Sequence, residues 1–367
     1  MVGEDLASVR FAPPPLPPIA ATDIDRDSLI RLGESVSRRM WTEGLSAWFW
    51  GEGVFLLGMI RFAAAVGAEV PQRAVDWLEE YRRAGVTIEH VNDLAPATAT
   101  VLVSAGRPAL REFAVELGER FEDLRATRAP NGALEHWPGA VWADTTFMAA
   151  LFLGHLGELT RRPELVAELE QQLLAHAEVL QDASSGLFAH GSHAGSTIWS
   201  FWGRANAWCA LTAVEYLELA ARSPDLVNQL ALAAISTSLA RQLTRLAELQ
   251  PHHGVWSVLV DEQPENAGII ETSAAAGIGA AMLRAAPHFP HRRDLLLTAG
   301  WRAIRGALAY VGVDGTLNRV SAGTVLQLIP FGYSVIRDDR IQPWGQGLAL
   351  HAIAAALDAT ARGDGPR

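Results

Sequence analysis

The sequence predicts an all-α fold, a single-domain (α/α)6 barrel of six helical hairpins, on three observations. Apolar residues recur at three- and four-residue spacing along most of the chain, in segments dominated by Ala, Leu, Glu and Arg. Tight linkers alternate with long ones. The long linkers resemble one another: "APNGALEHWPGAVWAD", "SSGLFAHGSHAGSTIWSFWGRANAW", "HHGVWSVLVDEQPENAGIIETS" and "DGTLNRVSAGTVLQLIPFGYSVIRDDRIQPWGQG" each carry a turn glycine, a short strand-like run and a polar or aromatic lead into a helix. Those glycines, Gly132, Gly186, Gly254 and Gly315, are spaced 54, 68 and 61 residues apart. A two-helix repeat of that size stacks or closes on itself.

Taken in order, residues 1–25 form an extended segment, because "APPPLPP" at 12–18 supplies neither helix nor ladder donors and reads as a polyproline strap. The barrel domain spans 26–363. Its twelve helices are expected at 27–41, 51–66, 71–85, 94–105, 107–124, 141–160, 163–182, 205–221, 224–249, 271–285, 292–311 and 346–362. In "TRRPE" (160–164) and "ARSPD" (221–225) proline stops one helix and starts the next. Segments such as "FMAALFLGHLGEL" and "AAAGIGAAML" are apolar nearly all round, as a helix buried on several sides must be. That favours a closed barrel over the alternative, an open solenoid. The long loops then build one mouth, where function collects.

Of the 367 residues, 49% are hydrophobic and 19% charged, ordinary for a globular protein with a large core. The 30 basic and 41 acidic side chains give a net charge of −11, without a basic run or a basic aromatic face, which argues against a nucleic-acid partner. An anionic substrate would have to be met by local arginine or by helix termini. Cys209 is the only cysteine, so disulfides and thiolate zinc cages are excluded. The first residues lack the apolar core of a secretory signal and no run of 18 apolar residues suggests a membrane span; a cytoplasmic enzyme without a membrane partner is expected. No dinucleotide fingerprint, Walker sequence or nucleophile elbow occurs, and no tight histidine–carboxylate cluster, so neither cofactor nor metal is expected.

Six segments lead into inner helices: "AWFWGEGV", "EHVNDLAPA", "WADTTFM", "WGRANAW", "ETSAAAG" and "WGQGLALH". Eight of the chain's twelve tryptophans, Trp48, Trp50, Trp137, Trp142, Trp202, Trp208, Trp256 and Trp344, lie in or beside these leads. They fill a barrel core or face a sugar, whose C–H faces suit flat aromatic rings. Asp144 either caps its helix or serves as an acid in a pocket. Its apolar neighbours Trp142 and Met148 would raise its pKa, and Asp93 opens the preceding inner helix in the same manner, as an N-cap or as the second of two carboxylates in unequal environments. His136 and His190 lie in the same loops as hydrogen-bonding candidates. Arg204, with Asn206 beside it, grips a substrate carboxylate or pairs with a neighbouring acid.

Together "VWADTTFMAALF", "GLFAHG", "WGRANAW", "GVWSVLVDE" with "ETSAAAG", "DGTLNRVSAGT" and "WGQGLAL" resemble glycoside hydrolase families 88 and 105, the unsaturated uronyl and rhamnogalacturonyl hydrolases, in order and over most of residues 40–360. The resemblance implies a six-hairpin α/α barrel and a hydrolase that removes a 4,5-unsaturated uronic acid from the non-reducing end of lyase-derived oligosaccharides. In that chemistry one aspartate protonates the vinyl ether and activates the water that adds across it. The resemblance assigns that role to Asp144 and a partner role to Asp93. It places Trp48, Trp50, His136, Trp137, Trp142, Met148, His190, Trp202, Arg204, Asn206 and Trp208 about the substrate, an oligosaccharide or glycoside. Ala205 and Ala207 stand where the family commonly has glycine. The alternatives are a saturated uronide as substrate, a sugar epimerase or isomerase using His136, His190 and His351, and a non-catalytic sugar-binding barrel.

Overall fold

The structure, a computed structural model, describes residues 12–124 and 126–366. Twelve long helices occupy Arg26–Glu43 (α1), Trp50–Val66 (α2), Gln72–Ala84 (α3), Leu94–Val103 (α4), Pro108–Leu124 (α5), Leu151–Thr160 (α6), Pro163–Leu180 (α7), Gly203–Arg222 (α8), Gln229–Glu248 (α9), Thr272–Ala285 (α10), Arg293–Leu308 (α11) and Pro343–Ala361 (α13). A single turn, Phe331–Ser334 (α12), interrupts the last long loop, and a two-stranded hairpin pairs Gly191–His193 (β1) with Ser196–Ile198 (β2).

The even-numbered helices through α10, with α13, form the inner ring: α2 packs on α4, α4 on α6, α6 on α8, α8 on α10, α10 on α13 and α13 back on α2. The outer helices lie against them, α1 on α13, α5 on α4, α7 on α6, α9 on α8 and α11 on α10. The all-round apolar pattern of α10 has its expected consequence, since all 14 of its residues are buried. Closure depends on backbone contact between the first and last inner helices. A Cβ on Gly58 would stand 2.1 Å from the Gly347 carbonyl oxygen, and one on Gly347 2.4 Å from that of Val54. No side chain fits at that crossing.

The four repeated turn glycines share a left-handed conformation, with φ between 79° and 89° at Gly132, Gly186, Gly254 and Gly315. Gly186 lies against Arg241 of α9, Gly254 against Arg302 of α11 and Gly315 against Ser35 of α1, so each turn seats on an outer helix and the last one returns to the first.

Two expected boundaries differ. The helix expected from residue 141 starts at 144 and passes at once into a π turn, Thr146–Ala150, because residues 141–143 spend their backbone groups on the neighbouring loop: Ser192 N–H donates to Val141 O (2.8 Å) and Ala143 N–H to His190 O (2.9 Å). The helix expected from 224 starts at 229, where the Asn228 side chain caps it after a separate turn at Pro224–Leu226.

Residues 12–20 run extended along the outer wall, held by Leu16 N–H on the Tyr310 hydroxyl (2.7 Å) and Ile19 N–H on Arg305 O (3.2 Å); the rest of the expected strap, residues 1–11, lies outside the described residues. Toward the C-terminal ends of the inner helices, away from the long loops, a buried ionic network links four of them. Arg284 of α10 meets Glu215 and Glu218 of α8 at 2.7 Å each, Arg61 of α2 pairs with Glu215, and His155 of α6 lies 3.6 Å from it.

Candidate active site

At the other end, the leads into α2, α4 and α6 enclose a cavity of about 370 Å³ together with residues 323–325 of the last long loop. Phe49 and Trp50 come from the first lead, His90, Asn92 and Asp93 from the second, and His136, Trp137, Trp142, Asp144 and Met148 from the third. Trp50 is stacked on Trp344 with ring centres 4.3 Å apart. Trp142 is stacked on the His136 ring at 4.5 Å, and half-exposed Trp137 leans on His90 at 4.4 Å. The wall therefore combines aromatic faces with directional polar groups, as a sugar-sized site requires.

The pairing of residues 141–143 with the 190–192 loop sets Asp144 beside His190. A Cβ at Gly191 would meet the Trp142 ring at 2.6 Å, so glycine permits the approach. Asp144 Oδ2 lies 3.4 Å from His190 Nε2, and neither atom has a hydrogen bond of ordinary geometry. No backbone N–H of its own helix is bonded by the Asp144 side chain among the described residues, and α6 with its π turn begins without a side-chain cap. Asp144 is not a capping residue.

Burial alone would push the Asp144 carboxyl up, as its apolar neighbours suggest. The hydrogen-bonding pole of His190, backed by the charge of buried Arg204, outweighs burial and holds it below the usual aspartate value. The sequence-based expectation of a raised, proton-bearing group is thus corrected: the resting enzyme carries a carboxylate here. Asp93 shifts the other way, raised by burial although its Oδ2 accepts the backbone N–H groups of Glu89 and His90 at 2.9 Å. The two carboxyls do occupy unequal environments, in the opposite sense to the one expected.

His136 is buried and held at about 3 by desolvation, so it is neutral near pH 7. Its Nε2 faces the Asn92 amide at 3.4 Å and its Nδ1 the Thr145 hydroxyl at 2.9 Å. His190 is placed from behind by Tyr333, whose hydroxyl lies 2.7 Å from Nδ1. A carboxylate only accepts, so the Asp144 contact requires a hydrogen on Nε2, which leaves Nδ1 to accept the Tyr333 O–H.

Six expected pocket residues do not line the cavity: fully buried His190 stands behind Asp144, and the other five lie further off. Arg204 is fully buried and bound to Glu271 (3.0 Å), the ion-pair reading of that residue. Asn206 spends its amide on Phe188 and Trp202 carbonyls and accepts Phe188 N–H and the Gln242 amide. Trp208 packs on Phe147 in the core, and Trp202 lies behind His190 with rings 4.3 Å apart. Trp48 stands behind the Asp93 turn, its indole N–H on Asp93 O at 2.8 Å and its ring stacked on Trp77. Among the described residues no group of three or more His, Cys, Asp or Glu side chains converges as a metal site, and no helix is long and apolar enough to cross a membrane.

The sequence pattern of glycosyl hydrolase family 88 matches residues 32–360. The chain belongs to that family. This family 88 hydrolase is 30% identical over 328 residues to the unsaturated rhamnogalacturonyl hydrolase YesR of Bacillus subtilis, a match covering 85% of this chain and 90% of that protein. It is similar in structure to a possible GH105 member from Salmonella enterica (26% identity, TM-score 0.81, 92% and 95% of the two chains). The unsaturated glucuronyl hydrolase of Bacillus sp. GL1 shares the fold at 17% identity, with a TM-score of 0.70 over 92% and 97% of the chains.

Sequence reasoning about this hydrolase missed Tyr333. It lies in a long loop, 143 residues from His190, and no spacing rule connects them. Tyr333→Phe removes the hydroxyl that fixes the His190 tautomer, and kcat is expected to fall about tenfold or more, with a loss of stability near 1 kcal/mol for one buried hydrogen bond. Steady-state kinetics and thermal unfolding of the variant check both; unchanged kcat would remove Tyr333 from the site.

Proposed function

We propose that this enzyme removes a 4,5-unsaturated uronic acid from the non-reducing end of oligosaccharides by hydrating its C4=C5 double bond, with Asp144 as the acid and then the base. The observation that carries the reading is the Asp144 carboxyl oxygen, buried and unbonded beside His190 in a tryptophan-walled cavity. The names of the relatives support the substrate class. A vinyl ether needs one proton at C4 and one water at C5, and a single carboxyl group handles both in turn. Asp144 gives its proton to C4 while positive charge develops at C5 and the ring oxygen. Water adds at C5 and returns a proton to the carboxylate; the hemiketal opens and C1 releases the next sugar.

Because Asp144 is ionised in the free enzyme, the substrate must bring about its protonation. A uronate carboxylate entering the same cavity is a second negative charge, and like charge raises a neighbouring carboxyl pKa. The alkaline limb of kcat, which reports the complex, is therefore expected at higher pH than the limb of kcat/KM, which reports the free enzyme. Coincident limbs contradict substrate-driven protonation.

An isomerase working through histidine acid/base pairs fits less well. His136 and His351 are both held at about 3 by burial, and His351 also feels the far-end network of Arg284, Glu215 and Arg61. Unsaturated and saturated uronides assayed side by side test the reading: turnover of the unsaturated compounds alone is expected, and turnover of the saturated ones overturns it. A cytoplasmic place of action is part of this proposal; the buried free thiol of Cys209 suits it, and cell fractionation tests it.

A further inference from the structure

Arg204 reaches the cavity only through the chain that lines it. Its guanidinium lies between the rings of Trp202 and Trp344, 4.5 and 5.5 Å from their centres. Besides Glu271, Nη1 donates to Ser321 O (2.9 Å), and Nη2 to Ala322 O (3.0 Å) and Thr324 Oγ1 (3.4 Å). The Trp344 indole N–H donates to Ser321 O as well, at 3.1 Å. Two successive carbonyls are thus turned down onto one buried cation.

In a trans peptide the carbonyl and the following N–H point in opposite directions, and no cis peptide occurs among the described residues. With the Ala322 carbonyl on Arg204, the Gly323 N–H points away from Arg204, and Gly323 lines the cavity. The preceding peptide follows the same geometry, and its N–H, on Ala322, is taken by Arg337 O at 2.9 Å. The N–H groups of Gly323, Thr324 and Val325 have no backbone acceptor among the described residues. No lysine or arginine lines the cavity, whereas Asp93 and Asp144 both do.

We infer that the backbone N–H of Gly323, with those of Thr324 and Val325 beside it, receives the substrate's carboxylate, and that Arg204 is the positioning residue that orients and polarises the Gly323 donor from behind. The inference rests on the uronide reading above. A charge-assisted hydrogen bond to a carbonyl strengthens the donor on the other side of the same peptide. Glu271 balances the Arg204 charge, so the substrate is met by directed dipoles with no free cation to attract acidic groups indiscriminately. Two adjacent N–H groups match the two oxygens of a carboxylate and are poorly matched by its ester.

Kinetics with an unsaturated uronide and its methyl ester, on wild type, Arg204→Lys and Gly323→Ala, test this. A Cβ at Gly323 meets nothing within 4 Å, so that variant keeps the fold while crowding the donors. The wild type is expected to prefer the free acid, and both variants to lose about tenfold of that preference, mostly in KM, as expected for a charge-assisted hydrogen bond. Arg204→Lys should not restore it, since a point charge lacks the fork that holds both carbonyls. An equal fall for acid and ester, or an unchanged preference in Gly323→Ala, overturns the inference while leaving the uronide reading intact. If the wild type turns over neither compound, the uronide reading fails and this inference with it.

Discussion

Asp144→Asn lowers kcat by about a thousand- to ten-thousandfold, because the same group supplies the proton for C4 and removes one from water, and general acid–base catalysis by a single positioned group is worth up to about 10⁴-fold. The amide keeps the shape of the carboxyl and still accepts from His190, so the cavity wall is unchanged. Substrate affinity, measured by calorimetry on the inactive variant, should stay near that of the wild type. A variant that turns over normally returns Asp144 to a structural role. A variant that fails to bind makes the carboxylate a ligand for the sugar instead of an acid. Asp93→Asn separates the two carboxyls. With one oxygen committed to the Glu89 and His90 backbone, Asp93 orders the turn that carries His90 and Asn92, so its loss should disturb KM along with kcat.

The largest effect on stability is expected at the other end of the barrel. Glu215→Gln takes one of two carboxylates from Arg284 and the nearer one from Arg61, leaving Glu218 alone against both, and removing one partner of such a buried network costs about 3–5 kcal/mol. Chemical denaturation measures it directly. The pH dependence has a definite sign. Burial opposes the Glu215 charge, but Arg284, Arg61 and His155 outweigh it and hold its pKa well below the usual glutamate value. Its contribution is therefore present above the unfolded-state value and is lost as pH falls through the folded one. The gap between wild type and variant should narrow on acidification; a gap independent of pH contradicts the assignment. The folded variant should retain its kcat, because Glu215 is remote from the cavity.

The barrel was legible because its signals are local or periodic. Four glycines at similar intervals mark four equivalent turns, each at positive φ and seated on an outer helix, and all-round apolar helices mark the inner ring. The leads into α2, α4 and α6 were legible for the same reason, and they place Trp50, Asp93, His136, Trp137, Trp142, Asp144 and Met148 around one cavity. What was not legible depends on partners distant in sequence. Arg204 and Asn206 sit in a lead of the same appearance but turn away from the cavity, toward Glu271 and toward Phe188 and Gln242. Their direction is set by the helix face on which they fall, together with a buried acid 67 residues on. The sense of the Asp144 shift was likewise hidden, since the apolar neighbours are visible in sequence and the opposing His190 is brought in by a strand pairing. Tyr333, 143 residues from His190, had no sequence signal at all.

The most direct measurement follows the ultraviolet absorbance of the conjugated double bond and the release of the leaving sugar in the same reaction. Hydration at C4=C5 requires one double bond to disappear for every sugar set free, with both signals abolished together in Asp144→Asn. Release of sugar with the absorbance intact would show attack at the anomeric carbon instead, and would contradict the account at its centre.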